Sequence, residues 1–205
     1  MESATVTIRP PAHAEVMRAP LLPALALLLA GSCSSYSVSL AVQGPATLQH
    51  EPAGHESARV TRIVDGDTIE VVITGRRAGP GAGDARAGQH HDVRLLGIDT
   101  PESVNPNTAV ECFGEESSAA LAAFLEDREV VLVDDVENTD QYDRLLRYVY
   151  LGHEMANARL VANGYAFAYT YPPNVRHSSL FVRLQREARR EGRGLWSRAA
   201  CNGES

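Results

Sequence analysis

Hydrophobic and polar positions alternate over two short stretches, which predict β-strands at residues 58–64 and 68–73. Asp65-Gly66 lies between them and predicts a tight turn. Residues 75–90, GRRAGPGAGDARAGQH, show no hydrophobic period, so we expect a long, mobile surface loop that tolerates shortening. The apolar residues return at 92–99, where a third strand is predicted.

Further along the chain, helical and strand-like spacings of hydrophobic residues alternate. Helices are predicted at 114–127, 153–164 and 178–196, and strands at 130–135, 145–151 and 165–169. The first five of these strands, with one helix after the third and two helices later, fit a small closed barrel. The predicted fold class is therefore α+β, a five-stranded oligonucleotide-binding-type β-barrel with three helices. The alternation of elements alone would also permit other α+β layouts.

The last predicted helix has recognisable ends. Ser178 or Ser179 is the expected N-cap, and Gly192 is expected to end the helix. One face of this helix carries an arginine cluster that we expect to be a solvated surface, made of Arg186, Arg189, Arg190 and Arg193.

The N-terminal third of the sequence is typical of an export signal. Residues 21–30, LLPALALLLA, form an apolar run too short to span a bilayer, and Met17 and Arg18 precede it. Met17 is the expected start of translation. Cys33 follows Leu-Ala-Gly-Ser and resembles the lipidated cysteine of the bacterial lipobox. One alternative is cleavage by an ordinary signal peptidase slightly further along the chain. The other is that the apolar run forms a short core helix.

The chain therefore divides into four predicted parts: a leader at 1–33, a flexible Ser/Gly/Pro-rich tether at 34–57, a barrel domain at 58–198 and a tail at 199–205. With Cys33 in the leader, Cys112 and Cys201 remain as an even pair. In an oxidising compartment we expect them to form a disulfide, with two free thiols as the alternative.

Composition and charge limit the possible functions. With 44% hydrophobic and 22% charged residues, the chain is neither disordered, nor a coiled coil, nor a polytopic membrane protein. The net charge is -7, and all 19 basic residues are arginine. Because a broad basic face is the usual mark of nucleic-acid binding, any phosphate chemistry must use a few placed arginines.

Polar residues cluster where the ends of barrel strands are expected. Arg94 lies within an apolar strand, where a guanidinium is costly unless it meets a carboxylate or an anion. Asp67, Asp99 and the carbonyl of Thr100 offer oxygen ligands that suit Ca²⁺ or Mg²⁺ better than Zn²⁺. Glu102 is then the candidate that activates or orients a water for attack. The alternative for this region is a plain hairpin turn and a structural ion pair between Arg94 and Asp99.

Four motifs in order resemble the thermonuclease, or staphylococcal nuclease-like, family: DGDT at 65–68, VRLLGIDTPE at 93–102, TDQYDR at 139–144 and GLW at 194–196. The resemblance covers residues of about 58–197. It implies catalytic roles for Arg94, Glu102 and Arg144, and Ca²⁺ ligation by Asp67, Asp99 and the Thr100 carbonyl. It also implies that Tyr142, Tyr169 and Tyr171 contact the substrate.

On this resemblance we expect a Ca²⁺-dependent nuclease that hydrolyses phosphodiester bonds of DNA and RNA and leaves 3′-phosphate products. The leader implies export, either as a secreted protein or as a lipid-anchored protein of the cell envelope, and we expect a monomer. The alternative is a non-catalytic barrel module on the cell envelope that binds nucleic acid or a protein.

Overall fold

A computed structural model describes residues 52–103 and 111–201. The predicted leader, with Cys33, and residues 34–51 of the predicted tether lie outside the described residues. Within the described ranges, no helix is long and apolar enough to cross a membrane.

Eight strands and three α-helices follow one another along the described chain. In chain order they are β1 His55–Asp65, β2 Thr68–Arg77, β3 His90–Leu95, β4 Ile98–Asp99, α1 Gly114–Leu125, β5 Glu129–Val133, β6 Leu145–Leu151, β7 Glu154–Met155, α2 Ala156–Asn163, β8 Phe167–Ala168 and α3 Ser178–Glu191. A short 3₁₀ turn at Gly194–Trp196 follows α3.

Five of the strands close into a barrel. The sheet order is β3-β2-β1-β5-β6-β7, and a parallel pairing of β3 with β6 closes the first five of these strands into a ring, to which β7 is attached at β6. The remaining neighbours, from β3 to β7, pair in antiparallel fashion. The fold is thus α+β with a closed five-stranded barrel and three helices, which confirms the predicted fold class.

Side-chain alternation explains how the barrel is filled. In β2, Ile69, Val71 and Ile73 are buried and alternate with more exposed residues, as expected for a strand with one face toward the core. In β6 six consecutive residues, from Leu145 to Tyr150, are buried. This strand is therefore covered on both faces. Leu121 of α1 and Leu184 of α3 belong to the same continuous core.

The predicted strand at 92–99 is divided in the structure. β3 ends at Leu95, and β4 pairs with β8 in a separate two-stranded sheet. Gly97 sits at the break with a φ of 78°, and a Cβ at this position would collide with the ring of Phe181. A left-handed backbone and a close aromatic contact together explain glycine here.

Two predicted helix boundaries also change. The helix predicted at 153–164 begins at Ala156, because the two preceding residues form β7 against β6. The last helix ends at Glu191, before Gly192 at a φ of 61° as predicted, but its N-cap is His177 instead of Ser178 or Ser179. His177 makes no side-chain capping hydrogen bond.

The segment predicted as a peripheral loop at 75–90 packs against the barrel. β2 continues to Arg77, whose neighbour Arg76 donates from Nε to the Gly83 carbonyl at 2.6 Å. Ala85 is buried, and its N–H donates to the Glu56 carboxylate at 2.9 Å. The predicted loop is therefore present between β2 and β3, but Gly83 and Ala85 are buried, because they satisfy polar groups of the barrel.

A second, smaller cluster lies at the C-terminal end of the described chain, where Ala188, Leu195, Trp196 and Cys201 are buried together. The guanidinium of Arg189 stacks 4.0 Å from the Trp196 ring centroid. Arg193 donates to the Ala162 carbonyl at 2.7 Å. Arg186, Arg189 and Arg190 are exposed, as predicted for a solvated face, while Arg189 and Arg193 also make these structural contacts.

Candidate active site

The turn between β1 and β2 holds the first acidic residue of the site. Asp65 and Thr68 are the last paired residues of the hairpin, so Gly66 and Asp67 form its tip. The Asp67 side chain is 8% exposed. Its Oδ1 accepts from the Thr68 hydroxyl at 3.1 Å, and its Oδ2 accepts from the Thr100 N–H at 3.0 Å.

Arg94 of β3 joins the two predicted carboxylate ligands. Its Nη1 lies 2.9 Å from Asp67 Oδ2, and its Nη2 donates to Asp99 Oδ1 at 2.8 Å. Nη1 also faces the carbonyls of Leu95 at 3.2 Å and Ile98 at 3.0 Å. The structure thus brings Arg94, Asp67 and Asp99 together, with the backbone of Thr100 attached through Asp67.

The electrostatics of this group favour an additional positive charge. Burial raises the pKa of both Asp67 and Asp99 above the ordinary value, while Arg94 acts in the opposite direction. Neighbouring negative charge on Asp65 raises both pKa values further. One guanidinium therefore faces two carboxylates, the buried Asp67 and the half-exposed Asp99, so these three side chains together carry one excess negative charge when both carboxylates are ionised.

The donor chemistry fits a hard divalent cation. The predicted set consists of oxygen atoms only, which is the ligand type that Ca²⁺ and Mg²⁺ prefer. In the described part of the chain, the buried Thr100 hydroxyl has no hydrogen-bond partner, so a polar atom at this site remains unsatisfied. No group of three or more His, Cys, Asp or Glu side chains among the described residues converges as metal ligands, so a cation here depends on two carboxylates and backbone oxygen.

The second arginine of the site lies at the tip of the hairpin that leads into β6. Arg144 is 29% exposed, and its Nε contacts Asp140 Oδ2 at 2.7 Å. Asp140 Oδ1 accepts the backbone N–H groups of Tyr142 at 2.9 Å and Arg144 at 3.0 Å. Asp140 therefore shapes the turn and orients the guanidinium, which lies 5.4 Å from the Tyr142 ring centroid.

A cavity of about 300 Å³ brings the two arginines to one space. Among the predicted residues its lining contains Arg94, Asp99, Arg144, Tyr142, Tyr169 and Tyr171. The three tyrosines are exposed by 70%, 52% and 46%, so their rings are accessible to a ligand in the cavity. The remaining wall includes the turn 95–98, together with Asp140, Gln141 and Leu146.

Glu102 occupies a different position from the two arginines. It is half-buried and is not among the described residues that line the cavity. Its N–H donates to Glu111 Oε2 at 2.9 Å, and its carbonyl accepts from the Glu111 N–H at 2.9 Å. These two bonds connect Glu102 and Glu111, which lie on either side of residues 104–110 in the sequence; those residues lie outside the described ones.

The two predicted cysteines form a disulfide directly after Glu111. The sulfurs of Cys112 and Cys201 are bonded at 2.04 Å, across a sequence separation of 89 residues. Cys112 follows Glu111 directly, and Glu111 is hydrogen-bonded to Glu102. The disulfide therefore connects Glu102, through Glu111, to the C-terminal cluster around Trp196.

Sequence reasoning missed two residues that organise the site. Asp140 belongs to the TDQYDR motif, but the sequence pattern assigns roles there only to Tyr142 and Arg144. An available signal is that an aspartate often accepts a hydrogen bond from the backbone N–H two residues later in a turn, as Asp140 does from Tyr142. Glu111 gave no signal, because its contact with Glu102 spans nine residues of irregular chain.

Comparison with known proteins identifies the family of this chain. The model of the family described as staphylococcal nuclease homologue matches residues 92–198. A thermonuclease of Staphylococcus intermedius is 39% identical over 143 residues, covering 70% of this chain and 77% of that protein. A thermonuclease of Staphylococcus hyicus is 34% identical over 145 residues, covering 71% of this chain and 78% of that protein.

A third relative comes from another genus. Endonuclease YncB of Bacillus subtilis (strain 168) is 31% identical over 140 residues, covering 67% of this chain and 60% of that protein. These matches confirm the resemblance that the four motifs predict. The chain belongs to the staphylococcal nuclease homologue family.

Proposed function

We propose that this chain is a Ca²⁺-dependent nuclease that hydrolyses phosphodiester bonds of DNA and RNA and leaves 3′-phosphate products. Nuclease chemistry is supported by the family and by relatives named thermonuclease and endonuclease. The observation that carries the proposal is the single cavity that Arg94 and Arg144 line together, with two carboxylates bonded to Arg94.

The two arginines would bind the scissile phosphate from two sides. Each guanidinium is planar and donates pairs of hydrogen bonds, a geometry that suits phosphate oxygens better than the point charge of a lysine. Arg144 is held by Asp140 through Nε and lines the cavity, where its terminal nitrogens would bind phosphate oxygens. Charge that develops on the phosphate during the reaction would be stabilised by these fixed donors.

Asp67, Asp99 and the carbonyl of Thr100 would hold the Ca²⁺ ion. The bound cation would supply positive charge that neutralises a phosphodiester oxygen. The role of the protein is to hold the two carboxylates in place, which Arg94 accomplishes by bonding to both and the Thr100 N–H by bonding to Asp67. Glu102 would act as the general base or orient the attacking water.

The three tyrosines would bind the nucleotides next to the scissile bond. Tyr142, Tyr169 and Tyr171 are accessible at the cavity. Stacking of a base on an aromatic ring contributes about 1–3 kcal/mol and depends little on sequence. We therefore expect cleavage of both DNA and RNA without strong sequence preference.

Export is part of the proposal. Residues 1–33 are the proposed leader, and the exported protein is either secreted or anchored to the cell envelope through lipidation of Cys33. The barrel is proposed to act as a monomer. The Cys112–Cys201 bond supports an oxidising location, because disulfides persist in extracellular and envelope compartments.

The decisive test is cleavage of single- and double-stranded DNA and RNA by the purified chain, in Ca²⁺ and in a chelator. We expect chelation to abolish cleavage and Arg144→Ala to lower kcat about 10²- to 10³-fold. Glu102→Gln should lower kcat about 10²- to 10⁴-fold. Exposed residues provide matched controls, Arg186→Ala for the arginine and Glu116→Gln for the glutamate.

Two results would contradict the proposal. One is cleavage that neither chelator nor the substitutions diminish. The other is binding of nucleic acid without any cleavage, which would identify a non-catalytic binding module.

A further inference from the structure

Arg147 of β6 is a fully buried arginine outside the cavity. Its side chain is 0% exposed, and so is that of its ion-pair partner Glu56 on β1. Nε contacts Glu56 Oε2 at 2.7 Å, and Nη2 donates to Glu56 Oε1 at 3.2 Å. This bidentate pair bridges two barrel strands that are not neighbours in the sheet.

The remaining donors of Arg147 bind the base of the hairpin that carries Arg144. Nη1 donates to the Asn138 carbonyl at 2.9 Å and to the Leu146 carbonyl at 2.8 Å. Nη2 also donates to Asn138 Oδ1 at 2.6 Å. The guanidinium thus binds both the backbone and the side chain of Asn138.

A continuous series of bonds leads from Asn138 to the hairpin tip. The Leu146 N–H donates to the Asn138 carbonyl at 3.0 Å, and Thr139 forms a bridge with Leu145. The Asp140 N–H then donates to the Arg144 carbonyl at 3.0 Å. The position of Asn138 therefore sets the register of the hairpin, and with it the direction of Arg144 and Tyr142.

The loop between β2 and β3 closes this network from outside. The Ala85 N–H donates to Glu56 Oε1 at 2.9 Å, so the same carboxylate holds both Arg147 and the loop. Gly83 packs directly on the guanidinium: a Cβ there would collide with Arg147 Nη2 and lie 2.7 Å from Asn138 Oδ1. Glycine at this position leaves room for the contact between Arg147 and Asn138.

We propose that Arg147 is a positioning residue for catalysis, which, with Glu56 and Asn138, holds the 138–147 hairpin so that Arg144 faces the cavity. This inference rests on the proposed nuclease function. Stability alone does not require such a network, because a buried ion pair can often be exchanged for apolar residues of similar volume without loss. Five directed hydrogen bonds, in contrast, fix one geometry of the hairpin.

The test separates positioning from stability with the double variant Glu56→Leu/Arg147→Met, which leaves no buried unpaired charge. Kinetics are measured at a temperature where thermal unfolding shows the variant to be folded. We expect kcat to fall about 10- to 100-fold, as for a small misplacement of a catalytic group, while KM changes much less. In an Arg144→Ala background the same pair of changes should have no further effect on kcat, because the group that the network positions is gone.

Gly83→Ala provides an independent perturbation that keeps every charge. It should displace Arg147 from Asn138 and lower kcat in the same Arg144-dependent manner. Gly75→Ala is the matched control, because a Cβ there meets only Ser57 at 3.9 Å and should leave kcat unchanged.

The outcomes of these experiments separate the positioning role of Arg147 from the proposed nuclease function. Wild-type kcat in the folded double variant and in Gly83→Ala, or an equal loss of kcat with and without Arg144, would overturn the positioning role. Unchanged activity in Arg144→Ala alone would instead overturn the proposed function.

Discussion

Two arginines on adjacent barrel strands, Arg94 and Arg147, occupy opposite electrostatic environments. In the parallel pairing of β3 with β6, Arg94 lies opposite Leu146 and Leu95 lies opposite Arg147. Arg94 lines the cavity and is 18% exposed, whereas Arg147 is 0% exposed. Both contact carboxylates, yet only one of them borders a space that a ligand can enter.

The difference lies in how charge is balanced. Arg147 has one carboxylate partner, Glu56, and its five N–H donors are matched by five hydrogen bonds. Arg94 is shared between two carboxylates whose pKa values burial raises. A closed, neutral pair stabilises and orients the fold, while an excess of desolvated negative charge beside a cavity favours a bound cation.

The strongest test of this comparison exchanges each arginine for alanine. Arg147→Ala should lower the free energy of unfolding by about 3–5 kcal/mol, because it leaves Glu56 buried without its partner. Arg94→Ala should lower it less, because Asp99 is half-exposed and the buried Asp67 keeps its hydrogen bonds from the Thr68 hydroxyl and the Thr100 N–H. Its main effect should be a fall in kcat of about 10²- to 10³-fold.

Urea unfolding and steady-state kinetics measure the two effects on the same samples. Arg159→Ala is the control, because its pair with Glu154 is exposed and is worth about 1 kcal/mol or less. A larger loss of stability in Arg94→Ala than in Arg147→Ala would contradict the distinction between the closed ion pair at Arg147 and the open site at Arg94.

A second, smaller effect concerns the cation. If Asp67 and Asp99 bind Ca²⁺, free Ca²⁺ at 100 times its Kd should raise the free energy of unfolding by about 2.7 kcal/mol. Asp67→Asn should remove this increase, because it deletes one charged ligand from the buried side of the site. Glu70→Gln, three residues further along in β2 and paired with Arg62, should retain it. Thermal unfolding with and without Ca²⁺ measures the shift, and an equal shift in Asp67→Asn would place the cation elsewhere.

Sequence reasoning identified Arg94 but not Arg147, although both interrupt apolar strands. Arg94 is surrounded by polar motifs close in sequence, such as Asp99 and Thr100, so local pattern was sufficient. The partner of Arg147, Glu56, is 91 residues away and lies in the segment predicted as tether. Only the closure of the barrel brings the two together, and strand pairing over such distances has no local signal.

The fold itself was predictable where the hydrophobic period is regular. The strand at 145–151 is found as Leu145–Leu151, and the helix predicted at 114–127 spans Gly114–Leu125. The Gly/Ala/Arg-rich segment at 75–90 contains the predicted loop between β2 and β3, but its composition gave no sign that two of its residues are buried. Ala85 and Gly83 are small because they pack on the Glu56–Arg147 pair, a reason that depends on tertiary structure.

The smallest predicted effect concerns Asp140, which joins the positioned hairpin to Arg144. Burial tends to raise the pKa of Asp140, but the hydrogen bonds from the Arg144 side chain and from two backbone N–H groups outweigh it and lower the pKa. Asp140→Asn can keep the backbone bonds while losing the charge. We expect a fall in kcat of about ten-fold and a loss of about 1–2 kcal/mol of stability at neutral pH.

The sign of the pH dependence follows from the lowered pKa. The stabilisation by Asp140 is fully present above the unfolded pKa near 3.9 and is lost as the pH falls through the lower folded value. The difference in unfolding free energy between wild type and Asp140→Asn should therefore shrink between about pH 5 and about pH 2, as urea titrations would measure. The control is Asp143→Asn at the exposed, left-handed position of the same turn, where asparagine is tolerated and little should change. A difference that stays constant with pH would mean that the carboxylate charge of Asp140 does not hold Arg144.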